Sequence, residues 1–188
     1  DTVVAGDGTL YVEATDIGLT TLEAVTGAVT IDTSAGTLVY NGPTGTGLAF
    51  GTLTDRLYTS GGLDYSYTTC SFTFDRINLA GGVIVTVTGI NVLELNTRNH
   101  GDVTIEADLD LTGNTDSSAG PGGWKGGANG TAGEGPGAGQ DLGSGAGGSY
   151  GGPGTGDLSP VTYGDFDLNS TVGGSGGSDG GGGGGGAI

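Results

Sequence analysis

Thirty of the 46 glycines in this chain of 188 residues fall between positions 120 and 188. Glycine loses more conformational freedom on folding than any other residue. Such a stretch is therefore either a loose linker or a backbone packed so closely that no Cβ fits. The spacing favours packing. Glycines 120, 123 and 126, then 127, 130 and 133, keep a period of three, whereas 133, 135, 137 and 139 keep a period of two. "GPGAGQDL" (Gly135–Leu142) is echoed by "GPGTGDL" (Gly152–Leu158). Trp124, Tyr150, Tyr163 and Phe166 are large apolar groups that a linker does not need. A glycine period of three suits extended left-handed helices of the polyproline II type. Without Cβ atoms, such helices can lie side by side and pair N–H with C=O between neighbours. The segment 114–188 is read as one glycine-rich domain with a strand-like island, "VTYGDFDLNSTV", at 161–172.

The preceding part, Asp1–Gly113, has a period of two and no helical stripe. "GTLYVEA" (Gly8–Ala14), "AVTID" (Ala28–Asp32), "GTLVY" (Gly36–Tyr40), "SFTFDRINL" (Ser71–Leu79), "VIVTVTG" (Val83–Gly89), "NVLELNT" (Asn91–Thr97) and "DVTIEADLDLTG" (Asp102–Gly113) read as strands. Gly, Asn and Asp punctuate them. The expectation is an all-β scaffold, either a β-solenoid or a β-sandwich. In either, Val85, Val87, Leu93, Leu95, Val103, Ile105, Leu109 and Leu111 would face inward.

A net charge of −17, with only Arg56, Arg76, Arg98 and Lys125 as cations, leaves no basic patch for nucleic acid or an anionic membrane. No apolar run is long enough to span a bilayer. The start at Asp1, the scarcity of Lys and the wealth of Thr, Gly and Asp suggest a processed, extracellular or cell-surface protein. The single cysteine, Cys70, excludes an intrachain disulfide. It reads as a small buried hydrophobe, or else as an intersubunit bridge.

The passage "FDRINLAGGVIVTVTGINVLELNTRNHGDVTIEADLDLTGN" (Phe74–Asn114), leading into "GPGGWKGGANG", resembles glycine-rich bacterial and archaeal surface proteins of the adhesin or right-handed β-helix kind. The resemblance covers Phe74–Gly186. It implies an extracellular structural or adhesive role, a solenoid-like fold and no catalysis. Where that pattern carries a small "DG" turn, this chain has Glu106–Asp108.

Catalytic chemistry is poorly supported. "DLDL" (Asp108–Leu111) and "DFDL" (Asp165–Leu168) alternate acid with apolar, as a half-buried strand does. His100, the only histidine, sits in the turn "RNHGD". Zinc lacks ligands. Calcium is the one cofactor that the oxygen-rich composition admits, although "GGPGTGDL" (Gly151–Leu158) departs from the Ca²⁺-binding nonapeptide repeat. Asn129 and Asn169 head glycosylation sequons.

The expected function is an extracellular structural protein, a self-assembling filament subunit or surface adhesin, whose identical subunits join by strand addition. Gly181, Gly186, Ala187 and Ile188 are the candidate joint. The alternative is a carbohydrate-binding module or polysaccharide lyase on the same scaffold. In it Trp124, Tyr65, Tyr67 and Tyr150 would stack on cell-surface glycans, and an arginine would serve a lyase as proton acceptor.

Overall fold

The structure is a computed structural model. It describes residues 3–4, 10–11, 21–43, 45–113, 118–140, 146–150, 154, 162–164, 171–179 and 181–186. The architecture is all-β. The strands are β1 (Val3–Val4), β2 (Leu10–Tyr11), β3 (Thr21–Ala24), β4 (Ala28–Asp32), β5 (Thr37–Gly42) and β6 (Gly45–Phe50). They continue with β7 (Thr52–Ser60), β8 (Leu63–Phe74), β9 (Arg76–Leu79), β10 (Ile84–Thr88), β11 (Val92–Thr97) and β12 (Val103–Ile105). Three open sheets result, with orders β1-β2-β6-β5-β4-β10, β11-β8-β7 and β12-β9-β3.

The chain divides into two compact units. The first comprises Asp1–Leu53, Cys70–Thr88 and Glu94–Asp110, and the second Thr54–Thr69, Gly89–Leu93 and Leu111–Ile188. The second unit thus takes two segments from the β-rich part as well as the glycine-rich stretch.

In the first unit, alternation builds the core. Leu22 and Ala24, Val29 and Ile31, Cys70, Phe72 and Phe74, and Ile77 and Leu79 are buried at alternate positions of their strands. β3, β9 and β12 run parallel and in register, so Leu22, Ile77 and Val103 form one column and Ala24, Leu79 and Ile105 the next. Gly27 makes the turn from β3 to β4 at φ 101°, where a Cβ would collide with the carbonyl of Asn41. Parallel pairing continues between β4 and β10, where Val29 meets Val85 and Ile31 meets Val87.

Two expectations are corrected here. The strand expected over Asp102–Gly113 is confined to Val103–Ile105. The amides of Glu106 and Ala107 both donate to the Leu79 carbonyl, at 2.8 and 3.2 Å, and this doubling ends the ladder. Val103 and Ile105 were expected to face inward. Yet they are 51% and 38% exposed, because β12 is an edge strand that no further strand covers among the described residues.

In the second unit the glycine-rich runs are hydrogen-bonded to one another. The run 171–179 is central, and Val172, Gly173 and Ser175–Ser178 are buried. It pairs with 181–186 through Gly174 N–H to Gly185 O (2.9 Å) and Gly177 N–H to Gly182 O (3.0 Å). It accepts from 118–127 through Trp124 N–H to Gly174 O (3.0 Å) and Gly127 N–H to Gly177 O (2.7 Å). It donates to 131–140 through Gly176 N–H to Glu134 O and Asp179 N–H to Thr131 O, both 3.0 Å. Ser178 N–H reaches Ala146 O at 2.8 Å. In the first three pairings the bonds recur every third residue on both partners. The glycines make this approach feasible: a Cβ on Gly176 would collide with the Lys125 carbonyl, and one on Gly184 with that of Gly174.

Candidate functional site

The β7–β8 hairpin turns on Gly61 and Gly62, both at positive φ (59° and 82°), as a two-residue turn with left-handed central residues requires. Cross-strand bonds from Thr59 Oγ1 to Asp64 Oδ1 (2.6 Å) and from Thr68 Oγ1 to Asp55 Oδ1 (2.8 Å) stiffen it. β8 then carries Tyr65 and Tyr67, two residues apart and hence on one face of the strand.

Trp124 meets that face from the glycine-rich stretch. Its ring packs edge-on against Tyr65, with centroids 6.0 Å apart and planes at 79°. Main-chain bonds fix it on both sides: Trp124 N–H to Gly174 O at 3.0 Å and Gly184 N–H to Trp124 O at 2.8 Å. Gly135, at φ 100°, lets the indole lie on the backbone, since a Cβ there would stand 2.6 Å from Trp124 Cγ. Beside this pair opens a cleft of about 220 Å³, lined by Tyr67, Trp124, Asn91, Ser66, Thr68 and Ile90. Its wall also includes Gly122, whose amide donates to Ile90 O at 3.2 Å. Trp124 Nε1 is the buried side-chain polar atom without a hydrogen-bond partner among the described residues.

Of the four aromatics singled out from sequence, Tyr65, Tyr67 and Trp124 therefore come together. Tyr150 does not join them. It packs on Tyr163 at 5.2 Å and 87°, and Tyr163 in turn on Tyr58 at 5.9 Å. Tyr163 is buried; its hydroxyl donates to Gly173 O at 2.5 Å and accepts from Ser175 Oγ at 2.9 Å. Burial, chiefly, pushes the Tyr163 phenol well above its ordinary pKa. This second cluster clamps the central glycine run, and Tyr58 was not recognised from sequence. The Gly61–Gly62 pair between alternating stretches was the available signal for the hairpin that presents it.

Gly181 and Gly186, proposed from sequence as part of a joint, donate within the chain to Ser178 O (2.9 Å) and Leu111 O (2.6 Å). Ala187 and Ile188 lie outside the described residues. So do Asp165–Leu168 and nearly all of Gly151–Leu158. Among the described residues no three His, Cys, Asp or Glu side chains come together as a metal site, and no helix is long and apolar enough to cross a membrane. His100 sits in an exposed turn at φ 60°. Arg76 pairs with Glu23 at 3.1 Å and Arg98 with Asp75 at 3.2 Å. Cys70 is fully buried, and burial, then the charges of Asp32 and Glu94, push its thiol up to about 11.

Comparison with known proteins gives no match: no family model, no curated protein and no solved structure is similar to the chain.

Proposed function

We propose that the chain is an extracellular structural protein that assembles with copies of itself by strand addition, its glycine-rich stretch packed as polyproline II-type helices. The three-residue recurrence of hydrogen bonds between the glycine runs carries this reading. A β-ladder repeats its pairing every second residue and polyproline II every third. A bundle held by main-chain bonds is a building material rather than a reactive surface.

The joint is assigned to β12 rather than to the terminal glycines, which are engaged within the chain. Asp102 O and Glu106 N–H both bond to β9, to Ile77 N–H and Leu79 O. By alternation, the amides of Val103 and Ile105 face the open edge. The columns Leu22–Ile77–Val103 and Ala24–Leu79–Ile105 stop there with exposed aliphatic side chains, as an added strand requires. An uncharged, apolar edge of this kind is a template for pairing.

Negative-stain electron microscopy of the chain, with and without Ca²⁺, tests the reading. Filaments that vanish in the double variant Val103→Lys/Ile105→Lys support it. Single particles in every condition, or filaments indifferent to that variant, refute assembly through β12.

A further inference from the structure

We infer that the cleft between Tyr67, Trp124 and Asn91 binds a neutral pyranose ring. The cleft's size, about 220 Å³, is the first argument. It falls below the ~300 Å³ at which drug-sized pockets begin. A single sugar ring matches that scale. The lining is the second argument. Two aromatic residues, Tyr67 and Trp124, and the aliphatic Ile90 share the cleft wall with three neutral polar residues, Ser66, Thr68 and Asn91. A pyranose has the same duality: C–H groups on its faces and hydroxyls around its rim. The Asn91 side-chain amide carries both donors and an acceptor.

The charge pattern selects within the class. No described residue lining the cleft is charged, and the chain carries −17 overall. A uronate would be repelled and would find no cation in the cleft. Trp124 supplies the third argument. Its indole is half-buried and fixed by main-chain bonds on either side, so little ordering remains for a ligand to impose. Its Nε1 donor has no hydrogen-bond partner among the described residues.

Trp124 is the only tryptophan, so its emission reports on this cleft alone. The experiment titrates the full chain with methyl β-D-glucopyranoside, methyl β-D-galactopyranoside and methyl α-D-mannopyranoside, with glucuronate as the charged comparator. A saturable emission change with at least one neutral glycoside is expected. Asn91→Ala and Tyr67→Ala should each weaken it about tenfold. Tyr67→Phe and Tyr150→Ala should leave it in place. Circular dichroism checks each variant, and Asn91→Ala decides if Tyr67→Ala fails to fold. No saturable change with any of the three neutral glycosides overturns the proposal. So does undiminished binding in a folded Asn91→Ala, or a preference for glucuronate. The titration is run where light scattering shows single chains, so its outcome is independent of filament formation.

Discussion

Gly176 shows at the scale of one residue why the glycine-rich stretch tolerates so little else. Its amide donates to Glu134 O, its carbonyl accepts from Gly139 N–H, and a Cβ would collide with the carbonyl of Lys125. Gly185 differs. Its carbonyl accepts from Gly174, but the nearest atom to a Cβ is Leu111 O, at an ordinary 3.7 Å. Gly176→Ala should therefore cost about 2 kcal/mol or more, the scale of forced overpacking. Gly185→Ala should stay within about 0.5 kcal/mol of the parent, as surface changes do. Urea denaturation of both variants checks the contrast, and equal losses would contradict the packing. Cys70 gives a second residue-scale expectation. Its thiol is raised from 9.0 to about 11 in the folded chain. Between those values the unfolded chain loses the thiol proton while the folded chain keeps it, so stability falls as pH rises. This contribution, about 3 kcal/mol at most, is intact below pH 9. Cys70→Ala should flatten the pH dependence of the denaturation midpoint between pH 9 and 11. The folded parent should also react slowly with a thiol reagent at pH 8.

At the scale of elements, period-two alternation was enough to place β4 (Ala28–Asp32), and it placed β5, β10 and β11 to within about two residues. It failed where tertiary pairing decides. "DVTIEADLDLTG" alternates along its whole length, yet only Val103–Ile105 pairs, because Glu106 and Ala107 share one carbonyl of β9. Inward and outward were likewise undecidable for Val103 and Ile105, since alternation gives a face but not whether a neighbouring strand covers it. The aromatic cleft was legible in part. Trp124, Tyr65 and Tyr67 were recognisable as large side chains without an obvious core role. Their meeting, and the exclusion of Tyr150, depend on hydrogen-bond registers that single residues do not announce. The edge strand yields its own expectation. Val103→Lys/Ile105→Lys should leave the thermal midpoint nearly unchanged, because both side chains already meet solvent. Scattering at high protein concentration should fall, because the edge would then carry charge.

For the molecule as a whole, the two units rest on different physics. The first buries aliphatic and aromatic side chains in alternating strands, a conventional apolar core. The second buries chiefly main chain: Gly173, Gly176, Gly177 and Gly184 have no side chain to contribute, and N–H to C=O pairing between runs holds the last three, and the Tyr163 hydroxyl holds the Gly173 carbonyl. Buried polar backbone is tolerable only if paired, so the glycine runs order together or not at all. Amide exchange separates this arrangement from a loose linker residue by residue. In 171–179 the amides of Gly174, Gly176, Gly177, Ser178 and Asp179 each have an acceptor and should exchange slowly. In 181–186 the amides of Gly184 and Gly186 are bonded to Trp124 O and Leu111 O. Those of Gly182, Gly183 and Gly185 have no acceptor among the described residues and should exchange fast. Neighbouring glycines of identical chemistry would then differ in protection only through the register of the bundle. Uniformly fast exchange across both runs would mean that the glycines are a tether, and the structural role proposed for them would fall with it.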